Sequence, residues 1–312
     1  MMSNLDNSWL KKQPNMVFFG ILFFRFFAML GPVILQNSGW LVVCSLLGFF
    51  GYVLLAIAAI IYNKKQMLPL AFVACLPEFV YAFTADFGLV DWLVPVATIL
   101  AIVFLARCLR VYQSWRFGIE YMLGASCLIV VLLHFFVGDL TQWWAQQLYP
   151  VMDSLNQQVD EAQKTQLLEV SKWLPKVQTG YTAFMWLVFF PMCIVHFSSL
   201  FLKTMDSNIL SKYKSGIVFG KIITCIGIMF LVMSFLFNVD VLFDIMPIWI
   251  VGFILVGLSF IHEIANKQTM KHMILIAIYI SILLMAQVFL PLILILGCLD
   301  CLFDLRMKVL SK

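Results

Sequence analysis

The sequence predicts an all-α, polytopic transmembrane helical bundle, and three observations predict it. The 312 residues are 63% hydrophobic and only 12% charged, with a mean hydropathy of +1.00; soluble domains run near roughly 45–50% and about 25%. The apolar stretches approach the ~20 residues a helix needs to cross hydrocarbon, about twice the length of a transmembrane β-strand. The basic residues also alternate in position: of 20 Lys and Arg, 15 fall in polar breaks on one side, and only Lys164, Lys172 and Lys176 on the other. Short basic loops mark the cytoplasmic face, so the N-terminus is expected inside, in a bacterial inner membrane. The net charge of +4 then reflects loops beside an anionic leaflet, not nucleic-acid binding.

Residues 1–312 read as one integral membrane domain. Met16–Leu35 is the first span, preceded by a polar segment unlike a cleaved signal. Gln36–Gly39 turns outside and Trp40–Tyr62 returns to Asn63–Lys65. Met67–Phe87 leads out and Val90–Ala106 comes back to a basic loop, Arg107–Arg116. Phe117–Val137 leads out again. Residues 139–178 form the one long outer loop, with net charge −2 from Asp139, Asp153, Asp160, Glu161 and Glu169 against Lys164, Lys172 and Lys176. Its apolar residues recur at helical spacing, which predicts short amphipathic helices punctuated by Pro150 and Pro175. They read either as a lid over a cavity or as a connector resting on lipid. Thr179–Leu202, Gly216–Phe237 and Ile245–Ile261 complete three more spans. His272–Phe303 is too long for one span. A hairpin turning near Gln287–Pro291 gives about ten membrane helices and an inside C-terminus, as Arg306, Lys308 and Lys312 require. Nine, with a helix kinked at Pro291, is the alternative. Small-residue pairs at Ala97/Ala101 and Gly216/Gly220 fit close helix approach.

Ionisable side chains within spans mark candidate sites. Arg25 lies near mid-depth of the first span, and Glu78 and Glu120 are the carboxylates that apolar flanks hold in the membrane. Together they are the candidate ligand-binding residues. The other reading is a structural ion pair. Asp86 and Asp91 flank a short outer turn. His134 and His196 have no ligand-spaced partner and read as hydrogen-bonded packing residues. Lys221 sits close enough to a helix end to snorkel. Cys298 and Cys301 have redox or metal spacing, but at the end of an apolar helix and with no second pair, so no metal or cofactor is expected. The outer loop has no cysteine, so no disulfide framework is expected. The chain contains no G-x-S-x-G, no phosphate-binding glycine loop and no H-E-x-x-H, so it is not expected to be an enzyme.

Leu290–Pro291, Leu296–Gly297, Asp300, Asp304 and Arg306 form a pattern that resembles the ending of the YybS-like family of bacterial inner-membrane proteins, a domain-of-unknown-function family. Trp92–Leu93–Val94–Pro95 running into Leu109–Arg110, and Thr179–Gly180 opening a span, resemble it too. Cys298 and Cys301 fall at variable positions of that pattern. The family is distantly similar to the substrate-binding membrane subunits of energy-coupling-factor vitamin transporters. That likeness implies a helical bundle holding a small molecule near its outer face. Those subunits have fewer spans, and their Ala-x-x-x-Ala docking motif is missing from Met16–Leu35. Two functions follow as expectations: small-molecule binding or transport, or a non-catalytic envelope or assembly factor holding other membrane proteins. An enzyme acting on a lipid-linked substrate would need an acid–base cluster that the sequence does not offer.

Overall fold

The computed structural model describes residues 14–35, 38–62, 64–84, 89–158, 160–205, 216–237, 239–268 and 270–310. Among them the chain is all-helical, with no strand. The helices are α1 (Pro14–Leu35), α2 (Ser38–Ile61), α3 (Lys64–Thr84), α4 (Leu89–Tyr112), α5 (Trp115–Val137), α6 (Leu140–Asn156) and α7 (Glu161–Phe184). A π-helical segment, Met185–Phe189, leads into α8 (Phe190–Met205). Then come α9 (Lys221–Leu236), α10 (Asp240–Ala265), α11 (Lys271–Leu284), α12 (Ala286–Phe303) and α13 (Leu305–Leu310). Among the described residues five stretches are long and apolar enough to cross a membrane: Leu93–Tyr112, Trp115–Val137, Gln163–Thr204, Asp240–Ala265 and Ala286–Phe303. Shorter apolar helical stretches lie at Pro14–Ala28, Ser45–Ile61, Gln66–Phe79, Lys221–Leu236 and His272–Leu284.

The chain divides into two compact units, Met1–Gly118 with Trp186–Lys214, and Ile119–Met185 with Ser215–Lys312. In the first, α2 packs on α1, α4 and α8. It buries Leu55, Ala56, Ala58, Ala59 and Ile60 almost completely, as a helix apolar all round does in a bundle core. Ser198 of α8 donates to the carbonyls of Ile194 (2.8 Å) and Val53 (3.3 Å), joining α8 to α2. The expected loop Arg107–Arg116 is instead helical as far as Tyr112. The reason lies at the end of α2, whose last carbonyls have no partner within their own helix. Arg107 Nη1 donates to Tyr62 O (2.7 Å) and Arg110 Nη1 to Ile61 O (2.9 Å), which requires both arginines on one helical face of α4.

In the second unit α10 is central, packed against α7, α9 and α12, while α6 lies along α7. Gly257 and Gly297 mark the crossing of α10 and α12. A Cβ on Gly297 would strike the Phe253 carbonyl, and one on Gly257 the Ile293 carbonyl. The two backbones touch, as small residues in membrane helices allow.

Four expectations need correction. Residues 139–178 are not short helices broken at Pro175: α7 runs through it and on into the apolar stretch. At 42 residues, Gln163–Thr204 is about 63 Å long, about twice the hydrocarbon thickness. Packing of α7 on α10 offsets the hydrogen bond that proline removes. Gly216–Gly220 is not helical, and the helix begins at Lys221. The span read as Ile245–Ile261 is α10, which begins at Asp240. Finally, the break in the last stretch is at Met285, not Gln287–Pro291; Pro291 sits inside α12. Arg306, following α12, contacts Glu263 near the end of α10, so α11 and α12 depart from that end and return to it.

Candidate functional site

In the first unit, Arg25 and Glu78 come together. Arg25 Nη2 pairs with Glu78 Oε1, and both side chains are buried (6% and 0% exposed). The guanidinium carbon lies 4.0 Å from the centre of the Tyr52 ring, a cation–π contact strengthened by desolvation. Gly51 makes room for this. A Cβ there would come within 3.1 Å of Arg25 Cδ, so a larger residue would press on the arginine stem. Among the described residues Arg25 Nε and Glu78 Oε2 have no hydrogen-bond partner, although buried polar groups nearly always do.

Glu120 does not share that pair's unit. It lies in the second, where its carboxylate accepts the N–H of Gly220 at 2.5 Å. This is one of several bonds that hold the non-helical segment 216–220. Ser259 Oγ accepts the N–H of Ile217 (2.7 Å) and Cys301 Sγ that of Phe219 (3.3 Å). Arg306 Nη2 donates to the Ile217 carbonyl (2.5 Å).

The family-like motif is built around the same segment. Asp300 is fully buried and accepts from Arg306 twice, from Nε at 2.6 Å and from the backbone N–H at 3.1 Å. Arg306 Nη1 reaches Glu263 at 2.8 Å and Ser259 at 3.4 Å, and Nη2 also meets the Val256 carbonyl at 3.2 Å. Asp304 adopts a left-handed conformation (φ 51°) that ends α12, which lets Arg306 turn back toward Asp300. Its own carboxylate is exposed and pairs with Lys221 at 2.9 Å. Gly297 serves the helix crossing described above. The motif is thus a clamp on backbone, with every guanidinium nitrogen of Arg306 occupied. Cys301 is part of it as a buried acceptor.

The sequence reading missed Asp244. It was placed just outside a span, but lies in the second turn of α10, 1% exposed. Oδ1 accepts the Gly180 N–H and Oδ2 lies by His134 Nε2, each at 2.9 Å. His134, read as a packing histidine, therefore has a carboxylate partner. The neighbouring Thr179 hydroxyl takes the Trp144 indole N–H at 2.8 Å. The available signal was Asp240 and Asp244 at i, i+4, which extends a helix face outward from the apolar run. Asp86 and the side chain of Asp91 lie outside the described residues. His196 is exposed against the Trp115 ring.

A groove of about 320 Å³ between α6 and α7 is lined by Leu148, Met152, Leu167 and Pro175, with Asp153, Asn156 and Ser171 as its polar members. Among the described residues no group of three or more His, Cys, Asp or Glu is arranged to hold a metal ion. No family model, no curated protein and no solved structure matches the chain.

Proposed function

We propose that this chain is a non-catalytic, multi-pass protein of the bacterial inner membrane that binds a small solute at Arg25, Glu78 and Tyr52, as a carrier or a step in its transport. Ten membrane helices, the five long stretches and five shorter ones, with both termini cytoplasmic, form its frame. The resemblance to the YybS-like family is part of the proposal and supplies an analogy of fold only.

One observation carries the reading: a buried guanidinium and carboxylate whose Nε and Oε2 have no hydrogen-bond partner among the described residues. Unmet buried polar groups cost about 1–3 kcal/mol each, and a ligand that carries an acidic group to accept from Arg25 Nε and a hydrogen-bond donor for Glu78 Oε2 would meet them. Its acid would compete with Glu78 for Arg25, in the planar, two-pronged way that favours arginine over lysine. The Tyr52 face would keep the guanidinium in place as the partner changes.

Native mass spectrometry of the full chain, gently extracted from its own membrane, tests this. A molecule of defined mass should travel with the wild type and be lost from Arg25→Gln and Arg25→Lys alike. A protein partner with no metabolite would replace the proposal with the assembly-factor reading. A metabolite retained by both variants would move the site away from Arg25.

A further inference from the structure

We propose that His134 and Asp244 form a proton-binding latch that fastens the α6–α7 hairpin to α10. It is independent of any ligand at Arg25. Asp244 sits where four helices meet: it is on α10, holds His134 of α5 and the Gly180 backbone of α7, and lies beside Thr179, which holds Trp144 of α6. Contact here is between backbones. A Cβ on Gly180 would overlap the Asp244 carbonyl, so α7 cannot lift away without breaking the Gly180 bond. The donors are of two kinds. The Gly180 N–H is permanent, whereas the imidazole belongs to the one side-chain type whose ordinary charge change falls between about pH 5 and 8.

The charge count gives the mechanism. With a neutral imidazole and an ionised carboxylate, the buried pair carries −1. One proton from solvent makes it neutral overall, whether the proton rests on nitrogen or oxygen. A net charge in an apolar interior is costly, and a paired, hydrogen-bonded one much less so. The other titratable groups at this end of the unit are Asp139 at the start of α6, Lys176 and Tyr181 on α7, and Asp240 on α10. Lys176 lies 4.0 Å from Asp240 and both are well exposed, so solvent screens them. The Phe230–Phe237 end of α9 and the Ala286–Leu292 end of α12 carry no titratable side chain. A second feature gives the latch something to move. The π-helical segment Met185–Phe189 begins five residues after Gly180 on the same continuous helix. Such widened turns sit often at functional sites.

Hydrogen exchange of the full chain in lipid nanodiscs tests this, with rates corrected for intrinsic chemistry. Losing the protonated pair weakens one charge-assisted bond. Opening of α6 and of residues 176–184 should therefore be about tenfold more frequent near pH 8 than near pH 5.5 in the wild type. In His134→Gln, which retains a donor, the ratio should fall below about twofold, and Asp244→Asn should behave likewise. An unchanged ratio in His134→Gln, or a pH-independent wild type, would overturn the proposal. Nitrogen-15 histidine NMR on the wild type gives a check that needs no variant. The His134 signal and the α6 exchange must share one midpoint, and separate midpoints would refute the latch.

Discussion

Two arginines, Arg25 buried in the first unit and Arg306 half-buried in the second, each meet a buried carboxylate, and they do so in opposite ways. Arg306 binds Asp300, Glu263, Ser259 and the carbonyls of Ile217 and Val256, leaving no guanidinium nitrogen idle. Arg25 has Glu78 and the Tyr52 ring, and its Nε has no partner among the described residues. Burial of an ionisable group is therefore not a functional signal by itself. What separates a clamp from a candidate binding site is whether hydrogen-bonding capacity is used up. A membrane interior makes the distinction sharp, because no solvent is present there to meet the remainder.

The comparison can be broken most easily at Arg306. Its replacement by Leu leaves Asp300 buried and uncompensated and strips the Ile217 carbonyl, a loss on the order of 3–5 kcal/mol. Arg306→Leu should fail to give a monodisperse protein on extraction, or should melt far below the wild type. A melting temperature within a few degrees of wild type would mean that the clamp is not structural. Arg25 is the intermediate case. Replacing Arg25 and Glu78 together by Leu removes both charges, and such double changes are often neutral or stabilising by about 1–4 kcal/mol. Thermal melting should show the double variant at least as stable as either single one, with solute binding abolished. A double variant as unstable as Arg306→Leu would erase the contrast between the two arginines. The smallest effect is expected at Lys221, whose pair with Asp304 is more than half exposed on both sides. Lys221→Ala should shift stability by less than about 1 kcal/mol, and that shift should fade with added salt.

Much of this was legible in the residues. Composition and run length announce a helical membrane chain, and Arg25 and Glu78 were singled out because intramembrane charge is costly. Glu120 looked equivalent to Glu78, yet its partner is the backbone N–H of Gly220. A backbone donor has no signature in a sequence, so no pattern could have separated the two glutamates. Asp244 was passed over because the span was begun five residues too late, at Ile245, just past it. Spans were bounded where hydropathy falls, but a helix ends where its backbone groups find other partners. That is also why α4 outruns its apolar stretch to keep Arg107 and Arg110 on the end of α2, and why Gly216–Gly220, apolar as it is, stays out of a helix.

The extended segment 216–220 has a consequence for the timing of assembly. Its peptide groups depend on Ser259, Cys301 and Arg306, and the last of these is synthesised 89 residues after Ile217. A nascent chain can place α9 and α10 in the bilayer, but the segment that leads into α9 stays unsealed until residue 306 has emerged from the ribosome. During that interval the half-built unit carries unmet peptide groups, and released chains truncated before residue 300 should be cleared by membrane proteases far faster than the full 312-residue chain.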